Sequence, residues 1–154
     1  MTSWAPTVAW CALVVAFAGL ANAWNGHDPG WYAGLRRPSF QPPDVVFGVM
    51  WPLNFALLLL VGLAVVRTAT PAAAWTATGV LAVSVCLALG WAWSFYVPHA
   101  LVAAAACVAA AAVLTWALVA VVARIELWGG LALLPYAVWL TVATALSVAY
   151  VRLA

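Results

Sequence analysis

A chain of 154 residues with 69% hydrophobic and 5% charged side chains cannot keep a soluble surface wetted, since soluble domains carry about 25% charged residues. Its solvent is therefore lipid, and a net charge of +2 is too small to recruit nucleic acid. At about 20 apolar residues per span, the length admits about five helices in one membrane domain, 1-154. Long runs without alternation, such as Leu101 to Trp116, exclude a transmembrane barrel.

The first span is expected at about 4–25, with Trp4 and Trp24 near its two ends as interface anchors. The start, Met-Thr-Ser-Trp, lacks the basic residues of a secretory signal, so the span is expected to be retained. Asn25-Gly26-His27-Asp28-Pro29-Gly30 then breaks the helix. A lid loop at about 26–43 follows, stiffened by Pro38, Pro42 and Pro43 and charged at Arg36 and Arg37.

Pro43-Asp44 opens a second span at about 44–67, with the Asp44 carboxylate at the positive end of the helix dipole and Pro52 as an expected kink. No charge occurs between Arg67 and Arg124, which is too long for one span. The break belongs at Tyr96-Val97-Pro98-His99, giving spans at about 73–96 and 98–122. Small residues line the third span (Ala74, Thr78, Ala82 and Ser84, Ala88, Ala92) and crowd the fourth. One such stripe suits packing inside the monomer and another a homodimer. After Arg124-Ile125-Glu126 the fifth span runs at about 128–152, with Pro135 in its first half. Five spans put the lid and C-terminus on one side with Arg36, Arg37 and Arg152, against Arg67 and Arg124 on the other. The positive-inside rule favours a cytoplasmic lid.

Asp28, Asp44 and Glu126 all fall outside or at the ends of spans, which argues against ion-coupled transport. No Ser/His/Asp order, zinc spacing or phosphate loop is visible, and no cofactor is expected to be obligatory. Cys11, Cys86 and Cys107 stand alone in apolar runs and read as buried free thiols. Tryptophan, with eleven residues, is what the chain has in abundance. Helical spacing puts Phe47, Trp51, Asn54, Phe55 and Leu58 on one face, and aligns Trp91 with Phe95 and Trp139 with Ala143 and Leu146. Where those faces converge they wall a slot for a flat apolar ligand. Asn54 needs a partner in lipid: Ser147, Thr144, a carbonyl beside Pro135, or a ligand. Arg36 and Arg37 either anchor the lid to headgroups or meet the carboxylates of an amphipathic ligand. His27 and His99 lie on the lid side, solvated or as ligands to a metalloporphyrin iron.

The stretch WYAGLRRPSFQPPDVVFGVMW resembles the WY-x-x-L-x-[KR]-P-x-[WF]-x-P-P-x-x-x-[FL]-x-x-x-W signature of the TspO/MBR family, the translocator and tryptophan-rich sensory proteins. LLPYAVWLTVATALSV looks like the same family's fifth-helix motif, and Trp91 with Phe95 and Tyr96 like its third-helix pattern. The resemblance implies a five-helix bundle, usually dimeric, with a pocket beneath the first loop for porphyrins, sterols and benzodiazepine-type ligands. It assigns that pocket to Trp51, Phe55, Trp91, Phe95, Trp139, Ala143 and Leu146, roofed by Trp31 and Tyr32. Many members carry Asn at the positions of Ala88 and Ser147, and Tyr at that of Phe55, so this slot is expected to be more apolar than theirs. Among bacterial relatives the resemblance implies tetrapyrrole regulation or stress signalling, with light-dependent porphyrin breakdown as an enzymatic alternative. A third alternative is a structural partner for another membrane protein, held through the alanine stripes.

Overall fold

The computed structural model describes residues 4–154, which form helices and, among those residues, no strand. In chain order these are α1 (Ala5–Asn25), α2 (Pro29–Gly34), α3 (Asp44–Val61), α4 (Pro71–Tyr96), α5 (Leu101–Ala123), α6 (Leu127–Ala132) and α7 (Leu134–Leu153). A π-helical turn, Gly62–Val66, extends α3. Among the described residues, five segments are long and apolar enough to cross a membrane: α1, α3 with its π turn, α4, α5, and α6–α7 taken together.

Three boundaries differ from the sequence reading, each for a backbone reason. The lid is not a plain loop: Asp28 accepts a hydrogen bond from the Trp31 amide at 3.0 Å and caps the short helix α2. The fourth span begins at Leu101 because Pro98 and His99 make the turn, with His99 in the left-handed region at φ 58°. The fifth is broken at Leu133, and Pro135, which has no N–H to give, sits in the first turn of α7.

Helix α4 is the centre of the bundle, packed on α1 along one side and on α5 along the other, while α5 also packs on α7. Both of its small-residue stripes are used inside the monomer. Ala74 and Thr78 are buried on the α1 side, where the Thr78 hydroxyl reaches the Pro6 carbonyl at 3.4 Å as well as its own helix. Ser84, Ala88 and Ala92 are buried further along the helix, and Ser84 Oγ lies 3.1 Å from the Ala111 carbonyl of α5 and 2.8 Å from Thr115 Oγ1. In lipid these hydroxyls must find partners within the protein, and they do.

The cysteines are not buried as expected: Cys86 is exposed, and Cys11 and Cys107 are half-exposed. Lipid is as apolar as a protein core, so a thiol is equally at ease on the outer face. Trp4, Trp75 and Trp128 are exposed near helix ends, in keeping with interface anchors, and the Arg67 guanidinium lies 4.7 Å from the Trp4 ring centre.

Trp10 joins α1 to α3. It is wholly buried, and its indole N–H donates to the Leu58 carbonyl at 2.7 Å. The π turn that starts at Gly62 disturbs the regular carbonyl pairing of α3, and the indole fills in beside it. Gly62 is required there because a β-carbon would overlap the Trp10 ring. Gly62→Ala is therefore expected to lower stability by about 1–3 kcal/mol, measured as thermal unfolding in detergent. Gly19→Ala, where a β-carbon meets nothing within 4 Å, serves as the control and should lose nothing.

Candidate ligand cavity beneath the lid

Helix α3 packs less closely on its neighbours than α4 or α5 does, and a cavity of about 920 Å³ lies between it, α1 and α4. From α3 the walls are Phe47, Trp51, Pro52, Phe55 and Leu59. Helix α4 supplies Trp91, Ala92 and Tyr96, and Tyr32 of the lid closes the top. Helix α1 supplies the opposite wall, small and apolar at Val14, Val15, Ala18 and Gly19, then polar at Asn22 and Asn25 near the lid. The body is thus apolar and the rim polar, with the Asp44 carboxylate also at the rim.

Trp51 organises the aromatic wall. Its ring stacks on Phe55 (centroids 5.7 Å) and on Trp91 (6.2 Å), each at an interplanar angle of 25°. It meets Phe17 and Trp139 edge-on, at 5.8 and 6.3 Å. Trp91 is fixed from behind, since its indole N–H donates to Ser147 Oγ at 3.1 Å and so ties α4 to α7.

The expected residues separate into two groups. Tyr32, Phe47, Trp51, Phe55 and Trp91 line the cavity. Ala88, Phe95, Trp139, Ala143, Leu146 and Ser147 are buried but lie outside it, because Phe47 and Trp51 pack against Trp139 and fill the space between α3 and α7. Asn54 is fully buried, and among the described residues neither amide atom has a protein partner. Its anticipated partners are occupied elsewhere: Ser147 by Trp91, and Thr144 by the Leu140 carbonyl. Trp93 and Trp116 face outward, the latter donating to Thr141 Oγ1 at 3.1 Å.

The lid is docked by rings and one polar chain. Trp31 lies flat on His99, centroids 3.8 Å apart, and edge-on to Phe95. His99 Nε2 is also 3.8 Å from the Asp28 carboxylate, within reach of an ion pair when the imidazole is protonated. Trp31 therefore clamps the lid to the α4–α5 turn and does not line the cavity, and Phe95 serves the clamp. The Tyr150 hydroxyl donates to Gln41 Oε1, and Gln41 Nε2 reaches Tyr32 Oη at 3.5 Å. Arg37 lies 3.6 Å from Asp44 and 5.9 Å from the Tyr32 ring centre, so it braces the lid. Arg36 is exposed, and neither arginine lines the cavity.

The α1 wall was missed by the sequence reading. Alanine, valine and glycine on an apolar helix carry no signal, and only Asn22 and Asn25 could have drawn notice.

A five-span helical bundle with an apolar, aromatic-walled cavity beside a docked lid defines a multi-pass integral membrane protein. The comparisons give the family: the TspO/MBR family profile matches residues 7–153, and the chain belongs to that family. It is also similar to the tryptophan-rich sensory protein of Cereibacter sphaeroides, with 28% identity over 127 residues, covering 80% of this chain and 76% of that one.

If ring stacking holds the lid, Trp31→Ala should raise the rate of tryptic cleavage after Arg36 at least several-fold, because proteolysis samples the opened state. Band densitometry over a time course measures it. An unchanged rate would place the clamp in the Gln41–Tyr150 contact instead.

Proposed function

We propose that this protein is a membrane receptor or carrier for a flat hydrophobic ligand, of which a porphyrin-type tetrapyrrole is the best fit and a sterol the next. The observation that carries the reading is the Trp51–Trp91 stack forming one side of a lidded cavity whose far wall is smooth and small. A volume of about 920 Å³ lies toward the upper end of the range for small-molecule sites, roughly 300–1,000 Å³. Burying about 300 Å² of a flat guest at about 25 cal/mol per Å² contributes several kcal/mol before association costs, enough for micromolar binding.

The polar rim supports an amphipathic guest. Arg37 stands beside the rim residue Asp44 and Arg36 is its exposed neighbour in the lid, so carboxylates left outside the cavity could meet them. The role in this reading is sensing, within tetrapyrrole regulation or stress signalling, and the name of the Cereibacter sphaeroides relative supports the sensory part alone. The same reading includes a homodimer and a cytoplasmic lid, the latter supported by Arg36, Arg37 and Arg152 on the lid side against Arg67 and Arg124.

Titrating protoporphyrin into the detergent-purified protein should quench tryptophan fluorescence saturably, and Trp51→Ala should weaken the affinity at least tenfold. A linear response, the same in both proteins, would contradict the proposal.

A further inference from the structure

The lid is clamped at one point by an imidazole, and the turn between α4 and α5 holds that imidazole in place. His99 is the one non-glycine residue with a positive φ, 58°, among the described residues. Histidine enters that region more readily than most side chains, though not often. Two amides fix the turn: Ala100 donates to the Ser94 carbonyl at 2.8 Å, and Leu101 to the His99 carbonyl at 3.0 Å. The ring so placed lies flat on Trp31, centroids 3.8 Å apart at an interplanar angle of 13°. Its Nε2 is buried without a hydrogen bond among the described residues, 3.8 Å from Asp28 Oδ2. Asp28 is fixed as well, because its Oδ1 accepts the Trp31 amide at 3.0 Å. A neutral imidazole with its lone pair on Nε2 sets that lone pair against a carboxylate. An imidazolium carries a proton on the same atom, opposes the carboxylate with the opposite charge, and presents a cation to the face of the indole.

We propose that Trp31, His99 and Asp28 form a proton-operated latch, which holds the lid tightly while His99 carries a proton and loosely once it has lost it. Docking brings the imidazolium to both of its partners, so the docked lid binds the proton better than the undocked one. Docking therefore strengthens as the pH falls through the range in which imidazoles titrate, about 8 to 5. Below about pH 4 carboxylates take up protons in turn, and the charge pair is lost again. Around the clamp stand Tyr32 of the lid, Tyr96 of α4 and Tyr150 of α7. Arg37, 5.9 Å from the Tyr32 ring centre, is paired with Asp44. Phenols and guanidinium groups keep their protons, and carboxylates stay ionised, across about pH 5 to 8. His27, the other of the two histidines, is exposed beside Asp28 in the chain and serves as the control. Because Tyr32 of the same lid closes the top of the cavity, entry from the lid side slows as the pH falls.

Tryptic cleavage after Arg36 in the detergent-purified protein reads the population of undocked lid. Dividing it, at each pH, by the cleavage of a free peptide of residues 28–43 removes the pH dependence of trypsin itself. With no ligand added, the wild-type lid is expected to be protected about fivefold more at about pH 5.5 than at about pH 8. Asp28→Asn removes the charge and keeps the helix cap, since asparagine caps as well as aspartate. It should cut the rise to about twofold, the share of the indole face. His99→Asn suits the same left-handed backbone and should abolish the rise. His27→Gln should leave it intact.

Protection that is level across the range, or greater at about pH 8, would overturn the latch. So would a rise as large as the wild type's in Asp28→Asn or in His99→Asn, or its disappearance in His27→Gln, which would move the proton to another group. Asp28→Asn decides the matter even where His99→Asn leaves the lid undocked at both pH values. None of these measurements uses a guest, so the reading of the cavity stands or falls separately.

Discussion

The structure turns on the ring of Trp51. It meets Phe17 of α1, Phe55 of its own helix, Trp91 of α4 and Trp139 of α7, so one side chain joins four of the elements that a guest would have to part or lie against. Ring contacts of this kind are worth about 0.5–1.5 kcal/mol each beyond the area they bury. Unlike hydrogen bonds they are indifferent to small rotations. That combination suits a wall that must hold its place and still yield. Where the rings end, the bundle is sealed by hydrogen bonds, such as Trp91 to Ser147 above and Ser84 to Thr115 below.

The cavity exists because α3 leans on the bundle mainly at its far end. There Trp10 reaches the Leu58 carbonyl, Gly62 lets the indole lie against the backbone, and the π turn follows. Nearer the lid, Pro52 and Gly48 offer little to pack with, and α1 opposes them with alanine and glycine. Small residues on two facing helices usually draw them together in lipid. Here Trp51 and Phe55 hold the helices apart as spacers, and the gap between them is the cavity. The lid then depends on α4, α5 and α7, through Phe95, His99 and Tyr150, more than on the helices that frame the gap.

The five spans were legible because a helix must be long and apolar to cross a bilayer, and interruptions such as Pro98-His99 have a backbone cause. The α3 wall was legible too, since Phe47, Trp51 and Phe55 recur at helical spacing. The other wall was not. Trp10 sits in the second turn of its span, yet nothing in its neighbours reveals that it bonds a carbonyl 48 residues on. Trp139, Ala143 and Leu146 do face inward, but spacing along one helix cannot show that Phe47 and Trp51 occupy the space in front of them. For Asn54 a short choice of partners could be named, but Ser147 accepts from Trp91 and Thr144 donates to the Leu140 carbonyl. A partner is a property of the assembled bundle.

The central claim is that the gap between α1 and α3 holds a flat apolar molecule against Trp51. Anomalous diffraction from crystals soaked with 9-bromophenanthrene addresses it most directly. The account predicts a bromine peak inside the gap within contact distance of the Trp51 ring, absent when Gly48→Trp fills that space. Bromine found only on the outer, lipid-facing surfaces, with the gap unchanged, would contradict it.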